Sequence, residues 1–292
     1  MTLTAEQLFN QVGKQYEDVY CDNPGLKKFI NTSLDMLQPG SAVLDVGCGT
    51  GKPVADQLAR AGHEVYGIDV SQKMIEVAQN QVEGRFVKAD MTSFEPETKF
   101  DAVYTVFSLF QLTNNEIYKM IFRFSEWLQP GGLLVFGMVP STSFVKDPKD
   151  YDASGKVARH YESEFMQQRV IYTLYTKEKW LELIRSAGFE IQLEQSCTLQ
   201  VDSRNESYDQ YLVIAKKQVT HALTGPFPLP ASYRGPHPLC EAAWAPFIQR
   251  LVRDEIEAVM EILQDNNRVL DIGSGHGSNS ALALYNVPQP LN

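Results

Sequence analysis

An α/β fold with a largely parallel sheet is predicted for the first 217 residues of this 292-residue chain. Three observations carry the prediction. Short apolar runs alternate with segments of helical period. A glycine-rich turn follows the first run. The last two runs lie close enough in sequence to form a hairpin.

The elements read in order. "AVLDVG" is a buried strand ending in glycine, and "PVADQLARAG" is a helix with Gly62 as its stop. "EVYGIDV" is a second strand. "SQKMIEVAQNQV" is a helix with Ser71 as N-cap and Met74, Ile75 and Ala78 on one face. "GRFVKAD" is a third strand, and "FDAVYTVFSLF" contains a fourth. "NEIYKMIFRFSEWL" is helical, and "PGG" turns the chain into "LLVFGMV", the fifth strand. A polar stretch, 141–168, follows. "TKEKWLELIRSAGF" is a helix between Thr176 as cap and Gly188 as stop. "EIQLEQSCTLQ" and "YDQYLVIAKK" close the series as strands.

Composition bounds the function. With 43% hydrophobic and 11% aromatic residues, the chain can bury a core. A net charge of −10 repels phosphate backbones, so nucleic acid is a poor partner. Cys21, Cys48, Cys197 and Cys240 form no Cys-x-x-Cys pair, which suggests neither a disulfide framework nor a metal site. The first twenty residues lack a signal-peptide pattern. The longest apolar stretch, Val103 to Leu112, is too short and too interrupted to span a bilayer. A cytoplasmic location without membrane insertion is expected. The oligomeric state is left open.

Gly47-x-Gly49-x-Gly51 lets the backbone turn sharply and lets a ligand approach it. The dinucleotide fingerprint Gly-x-Gly-x-x-Gly would need glycine at Lys52, which argues against a nucleotide-dependent oxidoreductase. Asp45, Asp69 and Asp90 stand at three successive strand ends. Such acids suit a ligand carrying a ribose, an adenine and a positive charge. Each also has a plainer role open to it, as strand cap, helix cap or turn acid.

"VLDVGCGTG", "GIDVS", "KADM" and "LQPGGLLVF" together resemble the class I S-adenosylmethionine-dependent methyltransferases, most closely the small-molecule branch of the ubiquinone- and menaquinone-biosynthesis type. The resemblance covers residues 10–217. It implies a Rossmann-like sheet of seven strands, mostly parallel with the last antiparallel, and helices on both faces. It implies S-adenosyl-L-methionine as cofactor and a small molecule as methyl acceptor, at oxygen, nitrogen, sulfur or carbon. Gly47, Cys48, Gly49 and Gly51 would pass under the methionine part, with Asp45 nearby. Asp69 and Val70 would hold the ribose, and Asp90 and Met91 the adenine. Val106 and Phe107 would lie near the sulfonium, and Tyr16 and Tyr20 would cover the cofactor or simply pack. "TVFSLF" stands where amino-methyltransferases of nucleobases and protein glutamine carry Asn/Asp-Pro-Pro-Tyr.

In that family the segment after the fifth strand builds the acceptor pocket. Here it holds "ARHYESEF". His160 is the candidate general base, if the nucleophile arrives protonated, with Tyr161, Glu162 and Asp22 behind it. Phe107, Phe110 and Gln111 would shape the pocket floor, with Tyr161 as a further substrate contact. A module that keeps the fold and binds without transferring methyl remains an alternative, because cofactor residues do not report turnover.

Beyond residue 217 the composition changes: no lysine follows, and eight of the fifteen prolines do. Residues 218–240 read as a proline-rich linker. Residues 241–292 read as an incomplete second copy, with a helix over Trp244–Leu263 and "VLDIGSGHGS" at 269–278 matching "VLDVGCGTGK" at 43–52. That copy has no equivalent of Asp69. The chain is therefore expected to hold one working site, as the front part of a tandem enzyme or with a relic behind it.

Overall fold

The structure, a computed structural model, describes residues 2–201 and 206–218. The expected linker and second copy lie outside the described residues.

Seven strands form the main sheet: β1 (Ala42–Val46), β2 (Glu64–Asp69), β3 (Arg85–Lys88), β4 (Phe100–Val106), β5 (Leu128–Met138), β8 (Phe189–Val201) and β9 (Glu206–Lys217). Their order is β3-β2-β1-β4-β5-β9-β8. β1 to β5 pair in parallel, and β9 runs antiparallel to both β5 and β8. The seven-stranded sheet with its last strand reversed is the expected one.

Alternation along the strands assigns the two faces. Val43, Ala102, Tyr104, Val135 and Ile214 face α3 (Pro24–Leu34), α4 (Val54–Arg60) and α5 (Gln72–Gln81), and share one core with Phe29, Ile30, Leu58 and Ala78. Phe136, one residue out of phase with Val135, turns to the opposite face. There it meets Trp180 of α7 (Lys177–Ser186), with ring centroids 4.8 Å apart. α6 (Asn114–Trp127) packs on β4 and β5.

Helix boundaries follow their caps. Ser71 Oγ accepts from the Met74 amide at 3.2 Å, and Thr176 Oγ1 from the Lys179 amide at 3.2 Å. Thr113 and Glu116 form a reciprocal capping box at the start of α6. The fifth strand begins earlier than its apolar run suggests. Leu128 already pairs with Phe100, and a register shift accommodates "QPGG" as a bulge.

The polar stretch after β5 is where the fold departs from the sequence pattern. Residues 157–175 form a separate antiparallel hairpin, β6 (Val157–Phe165) and β7 (Gln168–Tyr175). Met166 and Gln167 make its two-residue turn with φ of 50° and 65°, the left-handed pair a type I′ turn requires. Val170, Tyr172 and Leu174 of the hairpin pack with Leu8 and Val12 of α1 (Ala5–Val12) and with Met74, forming a second, smaller core. This cap sits where β1, β2 and β4 end.

Trp180 is fully buried between Phe136 and Tyr175, and its indole N–H has no hydrogen-bond partner among the described residues. Trp180→Ala is expected to lower stability by about 3–5 kcal/mol. Trp180→Phe should cost clearly less, because it keeps much of the packing and removes an unsatisfied donor. Urea unfolding of the two variants measures the difference.

Candidate active site

β1 lies between β2 and β4, so the chain crosses to one side after β1 and to the other after β3. The crevice outside the carboxyl ends of β1 and β4 is the ligand position that this topology creates. The glycine loop opens into it. Gly47 has φ of 72°, and a Cβ there would stand 2.3 Å from the Ser108 Cβ, so the loop and the end of β4 approach through the missing side chain. Gly49 has φ of 53°, and a Cβ there would meet nothing within 4 Å. Its open side is room for a ligand against bare backbone.

Asp69 fastens the loop. Its Oδ2 accepts from the Gly49 amide at 2.9 Å and its Oδ1 from the Ser71 amide at 2.8 Å. The plain role of supporting the start of α5 is therefore real, and the glycine loop shares the same carboxylate. Asp69 is 8% exposed, and burial raises its pKa while the two amides hold it down. A carboxylate carries about four acceptor positions, so two remain for a ligand.

Asp45, 2% exposed, has one oxygen, Oδ2, with no partner among the described residues. Burial, and then the charge of Asp69, push its pKa up to about 8. It is a neutral acid at pH 7 until a cation is placed beside it. Burial, followed by the charges of Asp45 and Asp69, also drives the Cys48 thiol well above its ordinary value, so Cys48 packs and is not a nucleophile. Asp90 is exposed, and its Oδ1 accepts from the Thr92 amide and hydroxyl at 2.8 Å each, as in an ordinary turn.

Two cavities meet at this edge. One, of about 600 Å³, is lined by Asp69, Val70, Asp90, Met91 and Thr92. The other, of about 150 Å³, is lined by Asp45, Cys48, Lys52, Tyr20, Phe110 and Gln210 among others. Gly47, Gly49, Val106, Phe107, Gln111 and Tyr16 border both. Phe107 holds a left-handed φ of 57°, fixed by its amide's bond to Gly137 O at 2.8 Å. Non-glycine residues take that conformation only where the surroundings impose it. Gly51 lies behind the cavities, where a Cβ would stand 2.9 Å from Val82 Cγ2.

The four residues named for acceptor chemistry border neither cavity. His160 is exposed and borders neither cavity. It sits at a bulge of β6 with φ of 54°, where the pairing shifts between Ala158 and Tyr161. Tyr161 turns its hydroxyl to Phe144 O at 2.9 Å and lines neither cavity. Glu162 is exposed, and Asp22 pairs with Lys27 at 3.1 Å.

Several neighbours of the site gave no signal in the sequence. Glu17, 7% exposed, belongs to α2 (Lys14–Tyr20), accepts from Gln81 Nε2 at 2.6 Å and lies 3.8 Å from Lys52 Nζ. Gln81 also donates to Thr50 O at 2.8 Å, tying α2 to the glycine loop. Phe165, Tyr172, Tyr208 and Gln210 come from the hairpin and from β9.

With this geometry in place, comparison with known proteins is decisive. A family profile described as a methyltransferase domain matches residues 43–132, from β1 through the start of β5. That segment of the chain is similar to a methyltransferase domain. It is 28% identical over 199 residues to phosphoethanolamine N-methyltransferase 3 of Arabidopsis thaliana, covering 66% of this chain but 35% of the plant protein. The methyltransferase fold recurs in solved structures. The 1,6-didemethyltoxoflavin-N1-methyltransferase of Burkholderia thailandensis is 19% identical, with a TM-score of 0.54 over 75% of this chain and 92% of that one. The magnesium protoporphyrin IX methyltransferase of Synechocystis PCC 6803, solved with bound S-adenosylhomocysteine, is 20% identical, with a TM-score of 0.54 over 73% and 97%. The chain spans about a third of the plant relative's length. Among the described residues no helix is long and apolar enough to cross a membrane.

Two expected outcomes test the methyltransferase domain's architecture. Asp69→Ala strands two backbone amides, one of them in the glycine loop, and should lower stability by about 2 kcal/mol or more. Urea unfolding at constant m value measures it. Asp45 has a native pKa above its unfolded value. The native state therefore holds a proton that the unfolded state releases. Its contribution is fully present below about pH 4 and is lost as pH rises through about 8. The slope reaches about 1.4 kcal/mol per pH unit in that window, and Asp45→Asn should remove it from a series of unfolding curves.

Proposed function

We propose that this chain transfers a methyl group from S-adenosyl-L-methionine to a small-molecule acceptor. The observation that supports this most is the unpartnered Asp45 oxygen beside the open side of Gly49, where two cavities meet. A cationic ligand with a sugar and a base fits both features. The cofactor supplies an activated methyl group, and the protein aligns and shields.

Asp45 receives the methionyl ammonium, which satisfies Oδ2 and favours its ionised form. Lys52, beside the loop, is the cation for the methionyl carboxylate. The remaining lone pairs of Asp69 take the ribose hydroxyls, next to Val70. Asp90 and Met91 border the adenine, and Val106 and Phe107 stand where the two cavities join. Tyr16 and Tyr20 close the site from α2. The acceptor occupies the aromatic end of the smaller cavity, whose other end, at Asp45 and Lys52, takes the methionyl group. No histidine lines that cavity among the described residues, so the acceptor is activated by alignment and loss of water rather than by His160.

Residues 1–217 form the cofactor-binding unit in this proposal, 218–240 a linker, and 241–292 an incomplete copy with no site of its own. With a net charge of −10, the acceptor is a metabolite rather than nucleic acid, and the protein works in the cytoplasm.

Calorimetry tests the proposal. S-adenosylhomocysteine should bind at one equivalent per chain, and NAD should not bind. Gly49→Ala places a methyl group in the cradle and should weaken S-adenosylhomocysteine by at least about tenfold, while its left-handed backbone costs only about 1–2 kcal/mol of stability. Equal affinity in wild type and variant would remove the cofactor from this loop.

A further inference from the structure

The smaller cavity carries its own chemistry. Its walls are aromatic: Phe110 packs against Tyr172 with centroids 5.2 Å apart, and Tyr20 stacks on Phe165 at 5.6 Å with 16° between planes. Lys52 is the one basic side chain among its described lining residues, and Glu17 lies 3.8 Å from it. Asp45 and Glu164 are the acids of the same lining. A phosphate monoester would enter with two negative charges, meet the Glu164 carboxylate and lose its water with no arginine to replace it.

One polar group in this wall is uncommitted, and its orientation follows from the backbone. The Leu26 amide can only donate, so the Asn23 oxygen faces it, at 3.0 Å. Asn23 Nδ2 is then the atom that faces Gln210, and it donates to Gln210 Oε1 at 2.9 Å. The Cys197 thiol also donates to that oxygen, at 3.5 Å. Both acceptor positions of Gln210 Oε1 are filled. Its Nε2 has no partner among the described residues, although Gln210 is 3% exposed and lines the cavity. An amide N–H₂ on a cavity wall without a protein partner is a donor that a ligand's acceptor can satisfy in place of water.

Resting on the methyltransferase proposal above, we infer that the methyl acceptor is an uncharged one- or two-ring aromatic compound whose carbonyl oxygen, hydroxyl oxygen or ring nitrogen accepts a hydrogen bond from Gln210 Nε2, and that phosphate esters are excluded. The aromatic end of this cavity, whose volume is about 150 Å³, takes a benzene-sized ring, and the open border with the larger cavity leaves room for a second. Gln210 is thereby a specificity residue, positioned by Asn23 from the start of α3.

The test uses the full chain and four probes followed by equilibrium dialysis: coumarin, which accepts a hydrogen bond but donates none; naphthalene, of similar size without polar atoms; 1-naphthyl phosphate; and phosphoethanolamine. Coumarin should bind at least about tenfold more tightly than 1-naphthyl phosphate, and phosphoethanolamine should not saturate. Gln210→Glu keeps the oxygen that Asn23 requires and replaces the donor with an acceptor. It should weaken coumarin about tenfold, to the level of naphthalene, and leave naphthalene within about twofold. Tight binding of either phosphate compound by the wild type would overturn the inference, and that comparison needs no variant. So would a Gln210→Glu variant that weakens coumarin and naphthalene alike, or neither. S-adenosylhomocysteine affinity is measured on the same samples. If it binds while the probes fail to discriminate, the cavity inference falls and methyl transfer stands. If it does not bind, methyl transfer falls, and the probe comparison without it still decides the cavity's chemistry.

Discussion

The hydrogen bond from the Gly49 amide to the Asp69 carboxylate is the constraint on which the site is built. It spans twenty residues of sequence and joins two adjacent parallel strands just past their ends. Parallel strands alone would leave the loop after β1 free to take many paths, because a glycine-rich turn has little preference of its own. The carboxylate selects one. Since the same group also accepts from Ser71, the loop is held against the start of α5 as well as against β2. The entrance to the crevice and the floor of the cofactor cavity therefore have one support.

Around that support the protein gathers negative charge in a dry place. Asp45 and Asp69 are both buried, and Asp69 raises the cost of ionising Asp45. Among the described residues Asp45 Oδ2 has no partner, so the acid favours its neutral form. Such a pair favours a positively charged ligand twice over, once by attraction and once by relieving an unsatisfied oxygen. It also explains why Cys48, in the middle of the loop, is inert.

The cap is held by different means. Glu17 reaches from α2 to Gln81, and Gln81 reaches on to Thr50 O, so the N-terminal helices are linked to the glycine loop through α5. The first residues are pinned as well: Gln111 Nε2 donates to Leu3 O at 3.1 Å, and the Leu3 amide bonds to Arg169 O at 3.3 Å. The β6–β7 hairpin completes the wall with Phe165 and Tyr172. Both cavities thus rest on one set of contacts between the N-terminal helices and the hairpin.

By itself the sequence determined the sheet and the cofactor edge. Strand and helix periodicities are local, and so are the caps at Ser71, Thr113 and Thr176. The glycine loop and Asp69 were legible because a tight turn after a buried strand needs those residue types. The hairpin was not legible: "ARHYESEF" alternates charged and small residues without an apolar face, and its turn is Met166-Gln167 rather than Asn-Gly. His160 attracted attention because histidine titrates near neutrality, yet a bulge and solvent exposure put it outside the site, and no local pattern encodes a bulge. Gln210 was silent for the opposite reason. A glutamine in an apolar strand has no meaning until the fold brings Asn23, from 187 positions away, against its oxygen and leaves its nitrogen without a partner among the described residues. Local periodicity is written in neighbouring residues, and the tertiary structure alone decides which polar atoms remain unpaired.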